Sequence, residues 1–415
     1  MYKLIPLLFA LIVTFSSNAQ TLKLDAILDS IRIAHPMLKV YDNEIRAMDE
    51  AAKGAKSWMP PQFGLGQFMT PYDVRLWHRE GDIPGMGSVM ISGEQMFPNK
   101  RKLEADEKMM RSMSAVEKEK KNATLNELIV LAKEFYYDWI ILKKKLLLLN
   151  QNEKLLELMI KNAEIRYQNN LEKIGTYFKA KANLGNLQNM RLMTETTVNE
   201  RRIQLNTLMG RNSKIYFDID TIYQMNDYSE FIIDDSFFLQ NRSDIKALSR
   251  EIDLNNLKQE SEKQALKPQF GIRFDNMVGF GGQPVQYSIM GMVKFPMAKW
   301  SSKMNKATIE SLKWKANALQ SEKEVMANEY RGMFYEILNE MELKKKQITL
   351  YDEKIIPAFR NNFKSMLLSY EQNTEELFML YDAWEKMNMA QLEYVELVNE
   401  SLKLHVKLER IIEKK

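Results

Sequence analysis

Pro61-Gln62-Phe63-Gly64-Leu65 returns as Pro268-Gln269-Phe270-Gly271-Ile272, and Gln95-Met96-Phe97-Pro98 as Val293-Lys294-Phe295-Pro296. Further along, Phe135-Tyr136 is echoed by Phe334-Tyr335, and Tyr167-Gln168-Asn169-Asn170 by Tyr370-Glu371-Gln372-Asn373. Four pairs in one order, each about 200 residues apart, mark two copies of one unit. Each copy carries a helix running into a proline, two short strands around a turn-rich loop, a second proline, a long helix and a shorter returning helix. The expected helices before the strands cover about Leu24 to Ser57 and Asp244 to Ala265, and the returning helices Ile174 to Met209 and Glu375 to Ile412. The predicted organisation is a signal peptide over 1–19, a first repeat over 20–215, a linker over 216–240 and a second repeat over 241–415.

Between Lys102 and Arg166 there is neither proline nor glycine, so that stretch reads as one uninterrupted helix. At 1.5 Å per residue it makes a rod of roughly 100 Å, which a compact globule cannot use. Leu128, Phe135, Leu142, Leu149 and Leu156 recur every seventh residue, with Ala132, Trp139, Leu146 and Ile160 beside them. That is a coiled-coil seam, broken once at Glu153. The Lys143-Lys144-Lys145 run reads as a solvated face. A second seam runs through Phe334, Met341, Ile348 and Ile355, and Pro357 is expected to kink it.

Strand composition bears on the environment of the sheet. In Gln286 to Phe295, Tyr287, Ile289, Gly291, Val293 and Phe295 alternate with Gln286, Ser288, Met290, Met292 and Lys294. Val89, Ile91, Gly93, Gln95 and Phe97 alternate in the same way with Met90, Ser92, Glu94 and Met96. Ten residues of such alternation fit an outer-membrane barrel strand, and by pattern alone also a soluble hairpin packed on helices. Four strands cannot close a barrel, since bacterial barrels start at about eight, so a barrel needs strands from further copies.

The remaining features exclude more than they assign. Among 415 residues, 59 Lys and Arg stand against 55 Asp and Glu, a net +4 spread too evenly for a nucleic-acid footprint. There is no cysteine, and the three histidines, His35, His78 and His405, have no ligand spacing. No phosphate loop, dinucleotide fingerprint or nucleophile elbow occurs, so the chain reads as a non-enzyme without a cofactor. Lys3, the apolar run Leu4 to Phe15 and Ser17-Asn18-Ala19 read as a cleaved secretory signal. No cysteine follows it to carry an acyl anchor. No later stretch has the length and purity of a membrane helix.

The order "PPQFGLGQF", "MFPNKRKLEAD", heptad helix, "IRYQNNLEKIG", "RRIQLNTLMG", followed by the same series again, resembles the TolC family of outer-membrane efflux proteins across the mature chain. Arg242-Ser243-Asp244-Ile245 stands where that family has Arg-Pro-Asp-Leu. The resemblance implies a mainly α chain of long helical hairpins forming a coiled-coil periplasmic tunnel. Four strands per chain would contribute to a twelve-stranded barrel in a homotrimer. It further implies contact with outer-membrane lipid, a periplasmic adaptor and an inner-membrane pump as partners, and a passive export role.

The family's Tyr-x-x-Gly helical tips correspond here to Tyr167 with Asn170 and Tyr370 with Asn373. Asparagine is the next best residue for a left-handed turn. Aperture aspartates of relatives fall on Met379 and Asp382, and the alternative for Asp382 is an ordinary solvated helix charge. Ile83 to Met90 followed by "GEQMFPNKRK" is similar to the heavy-metal branch, with Asn99-Lys100-Arg101 in place of that branch's glycine. Met90, Met96, Met290 and Met292, among 28 methionines, would then offer soft transient contacts to Cu or Ag ions. The alternatives are a multidrug or type I secretion channel, or, more remotely, a periplasmic coiled-coil structural protein.

Overall fold

The computed structural model describes residues 21–169, 174–223, 226–228, 231–234 and 236–414. The expected signal peptide and Asn170 lie outside them. The elements run β1 (Thr21–Leu22), α1 (Leu24–Ala34), α2 (Pro36–Lys53), β2 (Gln62–Phe68), β3 (Ser88–Phe97), α3 (Lys100–Gln168) and α4 (Ile174–Leu208). The chain continues with β4 (Asp218–Ile219), α5 (Phe237–Asn241), α6 (Ser243–Ala265), β5 (Gln269–Gly279), β6 (Gln286–Lys294) and α7 (Lys299–Leu350). A π-helical turn, Tyr351–Ile355, then leads into α8 (Ile356–Glu371) and α9 (Leu377–Ile411). The chain is mainly α, with one four-stranded sheet and a two-residue parallel pair among the described residues.

Two expectations change in detail. The helix expected over Leu24 to Ser57 is two helices, because Pro36 has no N–H and pushes His35 into extended backbone (φ −61°, ψ 126°). The kink expected at Pro357 takes the form of a wide turn. The proline ring would crowd the carbonyl of Glu353, and the ladder opens to the five-residue spacing in which the Ile356 N–H reaches the Tyr351 carbonyl.

The chain forms two compact units, each drawing on both repeats. One consists of residues up to 38, 125–232 and from 332 onward. Its first core joins Ile27 and Ile31 of α1 to Ile129, Ala132, Tyr136 and Trp139 of α3, with Leu205, Phe217 and Ile219. Its second joins Leu149, Leu156 and Ala163 of α3 and Leu187 of α4 to Tyr370, Leu380, Tyr381 and Trp384 of α8 and α9. The heptad seam of α3 therefore supplies both cores. At Glu153, where the seam breaks, Gln188 donates to the carboxylate at 2.9 Å and Arg191 lies 3.3 Å away. The Trp384 indole N–H donates to Asn152 Oδ1 at 3.1 Å, a bond within this core that ties α9 to α3.

The linker is held in the same unit as far as residue 232. Thr21 and Leu22 pair in parallel with Asp218 and Ile219. Lys133 of α3 pairs with Glu409 of α9 at 2.7 Å, and the Tyr228 hydroxyl of the linker donates to the same carboxylate at 2.8 Å. The Lys143 to Lys145 run is only partly a solvated face: Lys143 is paired with Asp218, and Lys144 lies 4.9 Å from the centre of the Tyr223 ring.

The other unit consists of Lys39–Thr124 and Ile233–Arg331 and contains the sheet. Lys102 and Ser261 both bond Asp106, joining the start of α3 to α6. The Arg-x-Asp sequence at 242–244 opens α6: Arg242 grips Asp244 at 2.6 Å, its guanidinium lies 3.5 Å above the Tyr330 ring, and the Tyr330 hydroxyl donates to Asp244 at 2.6 Å. Burial would raise the Asp244 carboxyl, but Arg242 and Tyr330 together hold it below the ordinary value.

Candidate functional site

The four strands lie in the order β2-β3-β5-β6, every neighbour antiparallel. Register fixes which residues share a face, because side chains alternate with a period of two. One face carries the rows Phe63-Gly93-Phe274-Ile289 and Leu65-Ile91-Asn276-Tyr287, flanked by Phe97-Phe270-Val293 and Gln95-Ile272-Gly291. The other carries Gln62-Glu94-Arg273-Met290 and Gly64-Ser92-Asp275-Ser288, with Met96-Gly271-Met292 on one side and Gly66-Met90-Met277-Gln286 on the other. The alternation anticipated from the sequence is thus in phase across all four strands.

Exposure separates the two readings of that alternation. A soluble hairpin buries its apolar face. Here Phe63 is 80% exposed, Tyr287 72% and Ile289 69%, whereas Asp275 on the polar face is 6% exposed. Summed over four strands, this is an apolar surface of the kind that marks a membrane or partner contact. Gln95, a polar residue on that face, turns onto backbone, donating to the carbonyls of Met96 at 2.8 Å and Met59 at 3.1 Å. Phe63 lies over Gly93 and fills the space its missing side chain leaves. Arg273 and Asp275 pair at 2.9 Å on the polar face. The outer edges, β2 and β6, have no strand partner among the described residues.

At one end of the sheet the two loops lock together. Trp77 stacks on Phe280 with centroids 5.2 Å apart and planes 15° from parallel. The Gly85 N–H donates to the Gly281 carbonyl at 3.1 Å, and the Gln283 amide donates to the Gly85 carbonyl at 2.5 Å. A Cβ on Gly85 would stand 2.1 Å from the Trp77 carbonyl oxygen, so only glycine fits.

The α8–α9 turn shows why asparagine serves at the helical tip. Asn373 has φ +60°, its N–H donates to the Tyr370 carbonyl at 3.1 Å, and the Thr374 N–H reaches Ser369 at 2.9 Å. Tyr370 is buried beneath the Arg166 guanidinium, 4.4 Å from its ring centre, while Tyr167 is exposed. Asp382 pairs with Lys386 of its own helix at 2.8 Å, and Met379 is 44% exposed. Lys179 lies 4.8 Å from the ring centres of both Phe378 and Tyr381.

Of the methionines singled out in the sequence, Met96 and Met292 meet across Gly271, while Met290 faces Arg273 and Met90 faces Met277. Met277 escaped sequence reasoning, though its place in the alternation of Gln269 to Gly279 was the signal that could have found it. Among the described residues no group of three or more His, Asp or Glu could hold a metal ion, and no helix is long and apolar enough to cross a membrane.

No family model matches the chain, and no curated protein does. Solved structures do. The outer-membrane channel OprN aligns with a TM-score of 0.75 at 12% identity, over 94% of this chain and 89% of that one. CusC, a protein that forms a transmembrane channel, aligns with a TM-score of 0.75 at 9% identity over 94% and 91%. The outer membrane protein VceC of Vibrio cholerae aligns with a TM-score of 0.73 at 13% identity over 94% and 95%. The chain has the fold of these outer-membrane channels.

Proposed function

We propose that the chain is the TolC-type subunit of an outer-membrane channel and acts as the passive export duct of a tripartite efflux system. The observation that carries this is the sheet itself: its apolar face is exposed where a soluble hairpin would bury it, Asp275 on the other face is covered, and neither edge has a strand partner among the described residues. An open edge is an unpaired row of backbone donors and acceptors, which cannot remain unpaired in hydrocarbon. Closure by copies of the same chain answers it, and three copies give twelve strands. The loops around Trp77 and Phe280 then face the outside. The tips at Tyr167 and at Tyr370 and Asn373 face the periplasm, where an adaptor and an inner-membrane pump dock. Met379 and Asp382 belong to the periplasmic aperture.

The polar face supports a reading of the cargo. Its methionines favour heavy-metal cations such as copper or silver over drugs or secreted proteins, because the thioether is a soft ligand. Heat-modifiable migration of a trimer extracted from outer membranes, together with conductance in planar bilayers, tests the channel. A stable monomer with full strand content and no conductance overturns it. Efflux assays with silver, a cationic dye and a secreted protein separate the cargo classes.

A further inference from the structure

We propose that Met96 and Met292 form a binding site for a soft monovalent cation, Cu(I) or Ag(I), seated over Gly271 on the polar face of the sheet. Both residues are cross-strand partners of Gly271, one from β3 and one from β6. The glycine makes the site. The Met96 sulfur lies 2.3 Å, and the Met292 methyl carbon 3.2 Å, from the point that a Cβ on Gly271 would occupy. A Cβ there would displace the Met96 sulfur from its place over the glycine.

The distribution of methionine points the same way. The four strands contain five, Met90, Met96, Met277, Met290 and Met292, and all five lie on the polar face. Gap-filling does not account for this, because the apolar face, where Phe, Leu, Ile, Val and Tyr outnumber Gln67, Gln95 and Asn276, holds no methionine. What methionine adds to a polar wall is a neutral sulfur lone pair, available at any pH and matched to Cu(I) and Ag(I) rather than to hard divalent ions. Its three rotatable bonds let Met292 swing its sulfur inward from the position of its methyl group. Of the two cations in the adjoining rows of this face, Arg273 is paired with Asp275 at 2.9 Å, which limits its repulsion of an incoming metal ion, and Lys294 is exposed to solvent.

The site rests on the channel reading for access, since a cation reaches it from the lumen. Its chemistry can be tested separately. Purified full-length protein in detergent is titrated with Cu(I) against a chromophoric chelator under reducing conditions, and with Ag(I) by calorimetry. The expected result is one cation per chain in the parent. Met96→Leu and Met292→Leu, which preserve volume, each weaken binding about tenfold or more, because even an outer-shell change costs metal sites about 10–100-fold. Met193→Leu, at an exposed position of α4 outside the sheet, leaves the affinity unchanged. Unaltered stoichiometry and affinity in the Met96→Leu, Met292→Leu double variant overturn the site. Conductance of the same preparations distinguishes the two readings: a conducting channel whose metal binding ignores both substitutions fails the site alone, and a non-conducting protein whose metal binding depends on them fails the channel alone.

Discussion

The Lys133 ammonium and the Glu409 carboxylate lie 2.7 Å apart with each side chain 8% exposed, joining α3 of the first repeat to α9 of the second. Tyr228 donates to the same carboxylate at 2.8 Å and His405 lies 3.6 Å away, so the linker is fastened at the point where the repeats meet. Burial would raise the Glu409 carboxyl, but hydrogen bonds from His405, Lys133 and Tyr228 and the Lys133 charge pull it down to about 2.

A carboxylate whose folded pKa lies below its unfolded value stabilises the fold above the unfolded value, here 4.5, and that contribution is lost as pH falls toward about 2. Glu409→Gln removes one partner of a buried pair and strands the other, which costs about 3–5 kcal/mol at pH 7. The gap in denaturation midpoint between parent and variant should be widest at neutral pH, shrink below pH 4.5 and close near pH 2. A gap that does not change with pH would show that Glu409 packs without titrating.

The two faces of the sheet should respond oppositely to one substitution. Ile289→Arg puts a cation on the exposed apolar face, and Ser288→Arg puts it on the polar one. Outer-membrane insertion should lose about 2–4 kcal/mol in the first and little in the second. The folded fraction recovered in lipid vesicles, read by heat-modifiable migration, measures this. Equal recovery of both variants would mean that neither face meets lipid.

With no native cysteine, orientation is open to labelling. Gly281 is a poor site because its φ is +57° and a Cβ would lie 2.6 Å from the Gly85 nitrogen. Asp82 is fully exposed on the same loop assembly. Asp82→Cys should react with an impermeant maleimide in intact cells, and Glu375→Cys, beside the α8–α9 turn, should not. The reverse pattern would invert the topology.

On the channel reading, the Asp382–Lys386 pair at 2.8 Å offsets the aspartate's charge at the proposed aperture. Asp382→Ala should lower the cation preference of the conducting trimer, and Lys386→Ala should raise it by freeing three carboxylates around the axis. Asp352→Ala, in the π-helical turn, should leave it unchanged. If all three match the parent in bilayer reversal potential, the pair is an ordinary surface pair.

Much of the secondary structure was legible from local pattern. Alternation in Gln286 to Phe295 fixed the face of each side chain, the absence of proline and glycine fixed α3, and Asn373 was readable as a left-handed turn from residue type. What escaped were relationships between segments far apart in sequence. Alternation says that Met96 and Met292 share a face, but only the register of β3, β5 and β6 brings both to Gly271. The capture of Tyr228 by Glu409 and the short pairing of Thr21 with Asp218 leave no periodic trace. Lys143 reads as solvated until the linker supplies Asp218.

The interlocked loops have an immunological consequence. Trp77 and Gly85 come from one half of the chain, and Phe280, Gly281 and Gln283 from the other, yet they build one continuous surface held by a ring stack and backbone hydrogen bonds. An antibody that recognises this surface reads a discontinuous epitope whose parts are about 200 residues apart, and a synthetic peptide spanning either loop lacks the contacts that give it shape. A vaccine or phage-display reagent aimed at this end of the molecule therefore has to present the folded sheet that carries both loops.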